Sequence, residues 1–102
     1  MRRVTDSRLV LEAIALRRCL DATYNRTRMK LAPHILYTRH GELFVDAVAV
    51  EREGREPGEV KLGTFKLAGL HIAEVVARTF QPLPDFDAND ERYRETTPFS
   101  VA

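Results

Sequence analysis

Aromatic and basic side chains are interleaved along the first two thirds of the chain. Aromatic rings stack on nucleobases without regard to base sequence, and Arg or Lys side chains neutralise phosphate groups. Neighbouring strands of one small barrel would bring such side chains onto one patch, which is what a nucleotide or single-stranded nucleic-acid site needs. The candidate ligand-binding residues are Tyr24, Arg26, His34, Arg39, Phe44 and Lys66.

Each candidate also has a purely structural interpretation. Tyr24 and Phe44 can pack in the core or at its rim, and His34 can be a surface histidine. Lys66 alternates with apolar neighbours, so it points away from the core, where a solvated charge is the usual role. Asp46 falls on the same strand face as Phe44, because residues two apart share a side, and it adds a carboxylate there.

Enzyme and metal chemistry find little support in the sequence. It contains no P-loop, no dinucleotide-binding fingerprint and no serine nucleophile elbow. The histidines at 34, 40 and 71 are not at the i, i+4 spacing of a helical zinc pair. A hydrolytic pair of His71 and Glu74 stays open as an alternative. The sequence therefore predicts a protein that is not an enzyme and that has no cofactor and no metal ion.

Length and composition indicate one globular core. The chain has 102 residues, of which 44% are hydrophobic and 30% charged, and these values lie far from the composition of disordered proteins. Its single cysteine, Cys19, cannot form an intramolecular disulfide, and we expect a small buried side chain in a helix, with a reactive thiol as the alternative. No apolar run approaches the roughly 20 residues of a membrane span, so we expect a cytoplasmic protein without membrane contact.

Charge is distributed unevenly along the chain. The net charge of +1 argues against a general nucleic-acid coat protein. Residues 1–40 hold nine basic and three acidic side chains, which gives +6, whereas residues 41–102 hold seven and twelve, which gives −5. Such an asymmetric molecule can attract a phosphate-bearing ligand at one face, although ordinary solvated surface charge explains the pattern equally well.

The hydrophobic pattern predicts one helix followed by strands. Apolar residues recur at helical spacing over residues 8–19, and from Leu20 onward the period changes to two. His40 and Gly41 predict a tight turn, and Pro33 marks an edge, a bulge or a kink in its strand. Residues 51–59 predict an exposed, mobile loop. The predicted strands cover residues 20–24, 30–38, 42–50, 60–67 and 70–80.

The secondary structure of two segments after residue 69 is harder to predict from the sequence. Residues 70–80 predict the fifth strand, with a short helix as the alternative, because β-branched and apolar residues dominate them. Pro82 and Pro84 predict an extended link, and residues 87–94 can form a short polar helix held by Tyr93. A helix followed by five short strands is typical of a small antiparallel barrel, so the predicted class is mainly β.

Several motifs in this order resemble one known family. A helix leads through a basic stretch, residues 15–20, to Tyr24, and a basic turn then precedes Pro33. Next comes a glycine-containing hairpin with the apolar sequence GELFV at residues 41–45. Residues 65–70 (FKLAGL) carry a positive charge at Lys66, and Gly69 stands where this family has a second positive charge. The closing pattern FQP and then DFD lies at residues 80–82 and 85–87. This ordered set resembles the WYL domain of bacterial transcription regulators.

The resemblance implies a small five-stranded barrel of the SH3/Sm type over residues 1–87, with residues 88–102 as a C-terminal tail. WYL domains usually follow a winged-helix DNA-binding domain, and this chain is either a free-standing version or one piece of a longer regulator. The implied function is ligand sensing, with a nucleotide or single-stranded nucleic acid as ligand. The alternative is a protein-interaction or dimerisation module without a small ligand, and a protein partner or a homodimer is expected in either case.

Overall fold

One helix and six strands make up the described part of the protein. The computed structural model describes residues 4–93 and 99–101. Helix α1 spans Val4–Leu16. The strands that follow it are β1 (Arg18–Tyr24), β2 (Thr27–Arg39), β3 (Glu42–Arg52), β4 (Leu62–Lys66), β5 (Leu70–Thr79) and β6 (Phe99–Ser100).

All six strands belong to one antiparallel sheet. Its main path is β4-β3-β2-β1-β5, and β6 pairs with β2 at Ile35 and Leu36. Strand β3 pairs along nearly all of β2, whereas β1 pairs only with residues 27–31 of that strand, so β6 continues the edge that β1 leaves. The prediction of a mainly β, small barrel-like fold with one N-terminal helix is confirmed.

Helix α1 lies earlier in the chain than the predicted 8–19. It ends at Leu16 because Arg17 takes a left-handed backbone conformation (φ 55°), and the Arg17 N–H bonds the Ile14 carbonyl at 3.3 Å. Cys19 therefore lies in β1 and not in a helix, although its predicted burial is confirmed. With 13 residues α1 is too short to cross a bilayer, and no helix within the described residues is long and apolar enough to do so.

Two tight turns set the register of the central strands. Asn25 and Arg26 link β1 to β2, and His40 and Gly41 link β2 to β3, as the sequence predicts for the second pair. All four residues have positive φ. Two consecutive positive-φ residues give a turn whose twist matches that of antiparallel strands. This hairpin geometry places Arg39 directly opposite Glu42.

Strand β2 contains a bulge beside Pro33. Pro33 pairs with Ala47 and Ile35 pairs with Asp46, so His34 is the extra residue between two paired positions. A bulge lets two successive side chains point to one face of a sheet. His34 and Ile35 are both buried. Phe86 packs against the His34 ring and against the cluster that contains Ile35, so both side chains lie on the same side of the sheet. Of the edge, bulge or kink that the sequence allows at Pro33, the structure has a bulge, within a strand longer than expected.

The principal core fills the inner face of the sheet, which α1 covers. Buried helix residues pack there against alternate residues of the strands, as the period of two requires. Leu16 lies within the predicted helix, where apolar residues are expected to pack on the core, but it is 51% exposed and does not belong to this core. The fully buried large residues of the principal core include Val10, Ile14, Leu20, Leu31, Val45 and Leu70.

Residues 80–93, here called the covering segment, fold back over the opposite face of the sheet. This outer face carries Ile35, Tyr37, Phe44, Asp46 and Lys66. Residues 91–93 form a 3-10 turn, so the predicted polar helix over 87–94 is wrong for its described part, and residue 94 lies outside the described residues. Two clusters on the outer face are buried by apolar side chains of the covering segment. These side chains are Phe80, Leu83, Phe86, Ala88 and Tyr93.

The link between β3 and β4 differs slightly from the sequence expectation, and β4 (Leu62–Lys66) is shorter than the predicted strand 60–67. Strand β3 continues through Arg52, so the predicted loop 51–59 is wrong at its start, and the exposed connection runs over residues 53–61. A 3-10 turn at Leu67–Gly69 leads into β5. Residues 70–79 are a strand, which confirms the strand prediction for this part and excludes the helical alternative.

Candidate functional site

Three side chains from different strands form one row across the outer face. Phe44 of β3 lies directly opposite Tyr37 of β2 and directly opposite Lys66 of β4. The rings of Tyr37 and Phe44 stack, with their centroids 5.8 Å apart and an interplanar angle of 22°. Directly opposed residues share a face and lie close together, so the register holds Lys66 beside the Phe44 ring.

A second row lies one step closer to the β2–β3 turn and consists of Arg39 and Glu42. These two residues are cross-strand partners on the same face. The guanidinium carbon of Arg39 lies 5.6 Å from the centroid of the Tyr37 ring, and Arg39 donates a hydrogen bond to the carbonyl oxygen of Arg92. A carboxylate oxygen of Glu42 lies 3.3 Å from the ammonium group of Lys66.

Accessibility increases from the covering segment towards the turn. Tyr37 is 3% exposed and Phe44 is half-buried, whereas Arg39 is exposed. The side chains of Lys66 and Glu42 are 48% and 53% exposed, so water competes strongly with their ion pair. The four accessible residues, here called the rim, are Arg39, Glu42, Phe44 and Lys66. The rim presents one ring, two cations and one carboxylate, and it unites three of the six predicted site residues.

Two other predicted residues lie away from the rim. Tyr24 packs on the inner core, where its ring meets Phe65 edge-on at 5.0 Å between centroids. Both rings border a cleft of about 370 Å³ whose lining includes Arg52. Arg26 is exposed at the tip of the β1–β2 turn. A Cβ atom added at Gly69 would lie 3.0 Å from Cε1 of Tyr24, so the glycine permits this placement of the ring.

His34, the sixth predicted residue, is buried beneath the covering segment. It is 1% exposed, which excludes the alternative of a surface histidine, and its ring contacts the covering segment. The ring stacks on Phe80 at 5.3 Å and meets Phe86 edge-on at 5.2 Å between centroids. Burial lowers the pKa of His34 below its ordinary value of 6.5, against the opposing effects of the Ala32 carbonyl and the Asp46 carboxylate.

A buried carboxylate joins the outer face to the covering segment. Asp46 is 1% exposed and accepts hydrogen bonds from the hydroxyl groups of Tyr37 at 2.8 Å and Tyr93 at 2.5 Å. Burial and these bonds raise the pKa of Tyr37 to about 12 and raise that of Tyr93 as well. Asp46 shares a face with Phe44, as predicted, but it is buried and both of its oxygens accept hydrogen bonds from phenols.

Sequence reasoning did not identify the partnership of Asp46 with the two tyrosines. A signal for Asp46 exists, since it is the one charged residue within the apolar stretch at positions 43–50. A carboxylate in such a stretch needs hydrogen-bond donors when it is buried. Tyr37 is three residues before the turn on the neighbouring strand, but nothing local points to Tyr93, which is 47 positions away from Asp46.

Other reactive side chains lie outside these rows. Burial raises the pKa of the Cys19 thiol, which suits a packing role. His71 and Glu74 are exposed on β5 and pair with Thr23 and Asp21 of β1. In residues 4–93 and 99–101 no group of three or more His, Cys, Asp or Glu side chains is arranged to hold a metal ion.

Comparison of the chain with protein-family models, with curated proteins and with solved structures found no match.

Proposed function

We propose that the rim binds a nucleotide or single-stranded nucleic acid, the ligand class that the resemblance to WYL domains implies. The observation that carries the proposal is the row Tyr37, Phe44 and Lys66 with Arg39 beside it. The half-buried Phe44 ring on β3 has Lys66 beside it on β4 and Arg39 one row away on β2. Base stacking together with phosphate neutralisation is the usual chemistry of binding to single strands.

Each rim residue has a distinct role in this proposal. A base stacks on the exposed part of the Phe44 ring, which itself stacks on Tyr37, and Lys66 and Arg39 bind phosphates of the same ligand. Binding requires the exposed ion pair between Lys66 and Glu42 to open, which costs little in water. Asp46 does not contact the phosphate directly, because it is buried and the hydroxyl groups of Tyr37 and Tyr93 occupy both of its carboxylate oxygens.

Two phosphate contacts make the expected binding sensitive to salt. Release of counterions from a single strand gives a slope of about −0.7 per neutralised phosphate in a plot of log affinity against log salt concentration. Two contacts therefore predict a slope of about −1.4. Loss of either cation should reduce the slope to about −0.7 and weaken binding at low salt.

Fluorescence anisotropy with a labelled oligothymidylate at several salt concentrations tests the proposal. Lys66→Ala and Arg39→Ala should each reduce the salt slope by half. Phe44→Leu should weaken binding by about 1–3 kcal/mol at every salt concentration, because it removes the stacking platform. Urea unfolding of each variant separates lost binding from lost stability. If the unaltered protein fails to bind at low salt, the proposal is wrong.

Arg26→Ala is the matched control, since it removes an exposed arginine away from the rim. Unchanged binding by this variant supports the rim. If Arg26→Ala and Tyr24→Leu weaken binding while Lys66→Ala and Arg39→Ala do not, the ligand lies at the cleft beside Tyr24 and Phe65 instead.

The family resemblance supports a role in signalling. The chain would then act as the ligand-sensing module of a bacterial transcription regulator in the cytoplasm, as the family resemblance implies. In WYL-containing regulators the DNA-binding function belongs to a separate domain. Ligand binding here would influence that function through contacts between modules.

A protein-interaction module is the second candidate function, and the sheet edges favour it. Strands β4 and β5 end the main path of the sheet, and within residues 4–93 and 99–101 neither pairs with a strand on its outer edge. Open edges pair readily with a strand of another chain. Sedimentation velocity over a range of protein concentrations tests self-association, and a monomer at all concentrations would exclude the homodimer.

A further inference from the structure

Both ring nitrogens of His34 are engaged in hydrogen bonds to backbone groups. Nδ1 lies 2.9 Å from the carbonyl oxygen of Ala32, and Nε2 lies 3.0 Å from the amide nitrogen of Leu83 in the covering segment. A carbonyl oxygen only accepts a hydrogen bond and an amide N–H only donates one. His34 is therefore neutral, with its hydrogen on Nδ1 and its lone pair on Nε2.

Protonation is incompatible with this arrangement. A hydrogen added to Nε2 would point at the N–H of Leu83, so the bond would become a contact between two donors. The resulting charge would also lie between the rings of Phe80 and Phe86, in a site that is 1% exposed. Water stabilises a histidinium ion far better than such surroundings do. Release of the covering segment would expose the ring and relieve both effects.

We propose that residues 80–93 are an acid-releasable cover of the outer face, and that His34 is the latch that holds it closed. The released state keeps the strand pairing of the sheet. It uncovers Ile35 and Tyr37, which continue the face of the rim towards β6. The proposal concerns this chain alone and stands whether or not the rim binds a nucleotide.

The groups around His34 determine whether the closed state favours or disfavours protonation of its ring. The carboxylate of Asp46 on β3 favours the protonated ring, and it is outweighed by burial, so the closed state disfavours protonation. Around the ring, β2 contributes the Ala32 carbonyl and the covering segment contributes the Leu83 amide and two phenylalanine rings. The Val101 amide, beside β6, binds the His34 carbonyl at 2.9 Å.

The pH range of release follows from proton linkage. A released histidine has a pKa of about 6.5, and the closed state has a lower value. The closed state is therefore fully favoured above about pH 6.5 and loses favour as the pH falls below it. One proton taken up on release changes the ratio of closed to released molecules by about tenfold per pH unit.

Hydrogen exchange measured by NMR on the whole chain tests the latch. Protection of the Leu83 amide, corrected for intrinsic exchange, should fall by about tenfold per pH unit below about pH 6.5. Amides of the β1–β2 ladder should keep their protection. If Leu83 protection is independent of pH, or if the ladder loses protection in step with it, the proposal is wrong.

His34→Gln is the diagnostic variant, because a glutamine oxygen can accept the Leu83 bond and does not titrate. Its Leu83 protection should be nearly flat with pH, whereas the control His71→Gln, at an exposed position, should behave as the parent does. Parental pH dependence in His34→Gln would overturn the proposal. If that variant does not fold, the ring nitrogen resonances of the parent decide, because an unprotonated Nδ1 at neutral pH contradicts the latch.

Discussion

The hydroxyl group of Tyr93 donates a 2.5 Å hydrogen bond to Oδ2 of Asp46, although 47 positions separate the two residues in the chain. Tyr37 donates to Oδ1 of the same carboxylate at 2.8 Å. All three side chains are buried. A buried carboxylate is unfavourable unless donors satisfy it, so the covering segment and the outer face stabilise each other through this contact.

Removing either phenol from Asp46 should destabilise the fold. We expect Tyr93→Phe and Tyr37→Phe each to lower the free energy of unfolding by about 1.5–3 kcal/mol, because each removes a hydrogen bond to a charged group. Urea denaturation measures the change. Tyr24→Phe is the control, since the Tyr24 hydroxyl has no hydrogen bond within the described residues. Equal losses in all three variants would contradict this assignment.

Alkaline solution should weaken the fold from about pH 10 upward. The pKa of Tyr37 is raised to about 12, and that of Tyr93 is raised too, relative to about 10 in an unfolded chain. A raised pKa gives stability that is complete below the unfolded value and is lost as the pH rises through the folded value. Unfolding free energies measured between about pH 9 and 12 should fall less steeply for Tyr37→Phe than for the parent.

A methyl group at Gly69 should displace the Tyr24 ring. The added Cβ would lie 3.0 Å from Cε1 of Tyr24, so Gly69→Ala should cost about 1–3 kcal/mol of stability through overpacking. Gly58→Ala is the matched control, because nothing lies within 4 Å of its added Cβ. We expect that control to change stability by less than about 1 kcal/mol. Thermal unfolding of the pair distinguishes contact with Tyr24 from a general effect of losing glycine.

Amide exchange should be fastest in the connection between β3 and β4. Residues 58–61 are exposed and follow Pro57, and few of their side chains can be buried. The amide of Arg52, by contrast, donates to the Arg55 carbonyl at 2.7 Å and should be protected. Hydrogen exchange at neutral pH measures both. Strong protection at residues 58–61 would show that the sequence prediction of a mobile loop is wrong.

Local sequence determined the helix, the five principal strands and the tight turn at His40 and Gly41. These features follow from the spacing of apolar residues and from backbone preferences within a few positions. The same local information predicted that Pro33 disturbs its strand and that Cys19 is buried. It placed the helix end too late, because the left-handed conformation of Arg17 is not evident from an arginine in the sequence.

Only the tertiary structure decided which candidate residues act together. Cross-strand register brings Arg39, Phe44 and Lys66 to one rim, while the bulge directs His34 beneath residues 80–93. The partners of His34 and Asp46 are Leu83 and Tyr93, which lie 49 and 47 positions further along the chain. Contacts over such separations depend on how the whole chain closes, and the periodicity of a single segment carries no information about them.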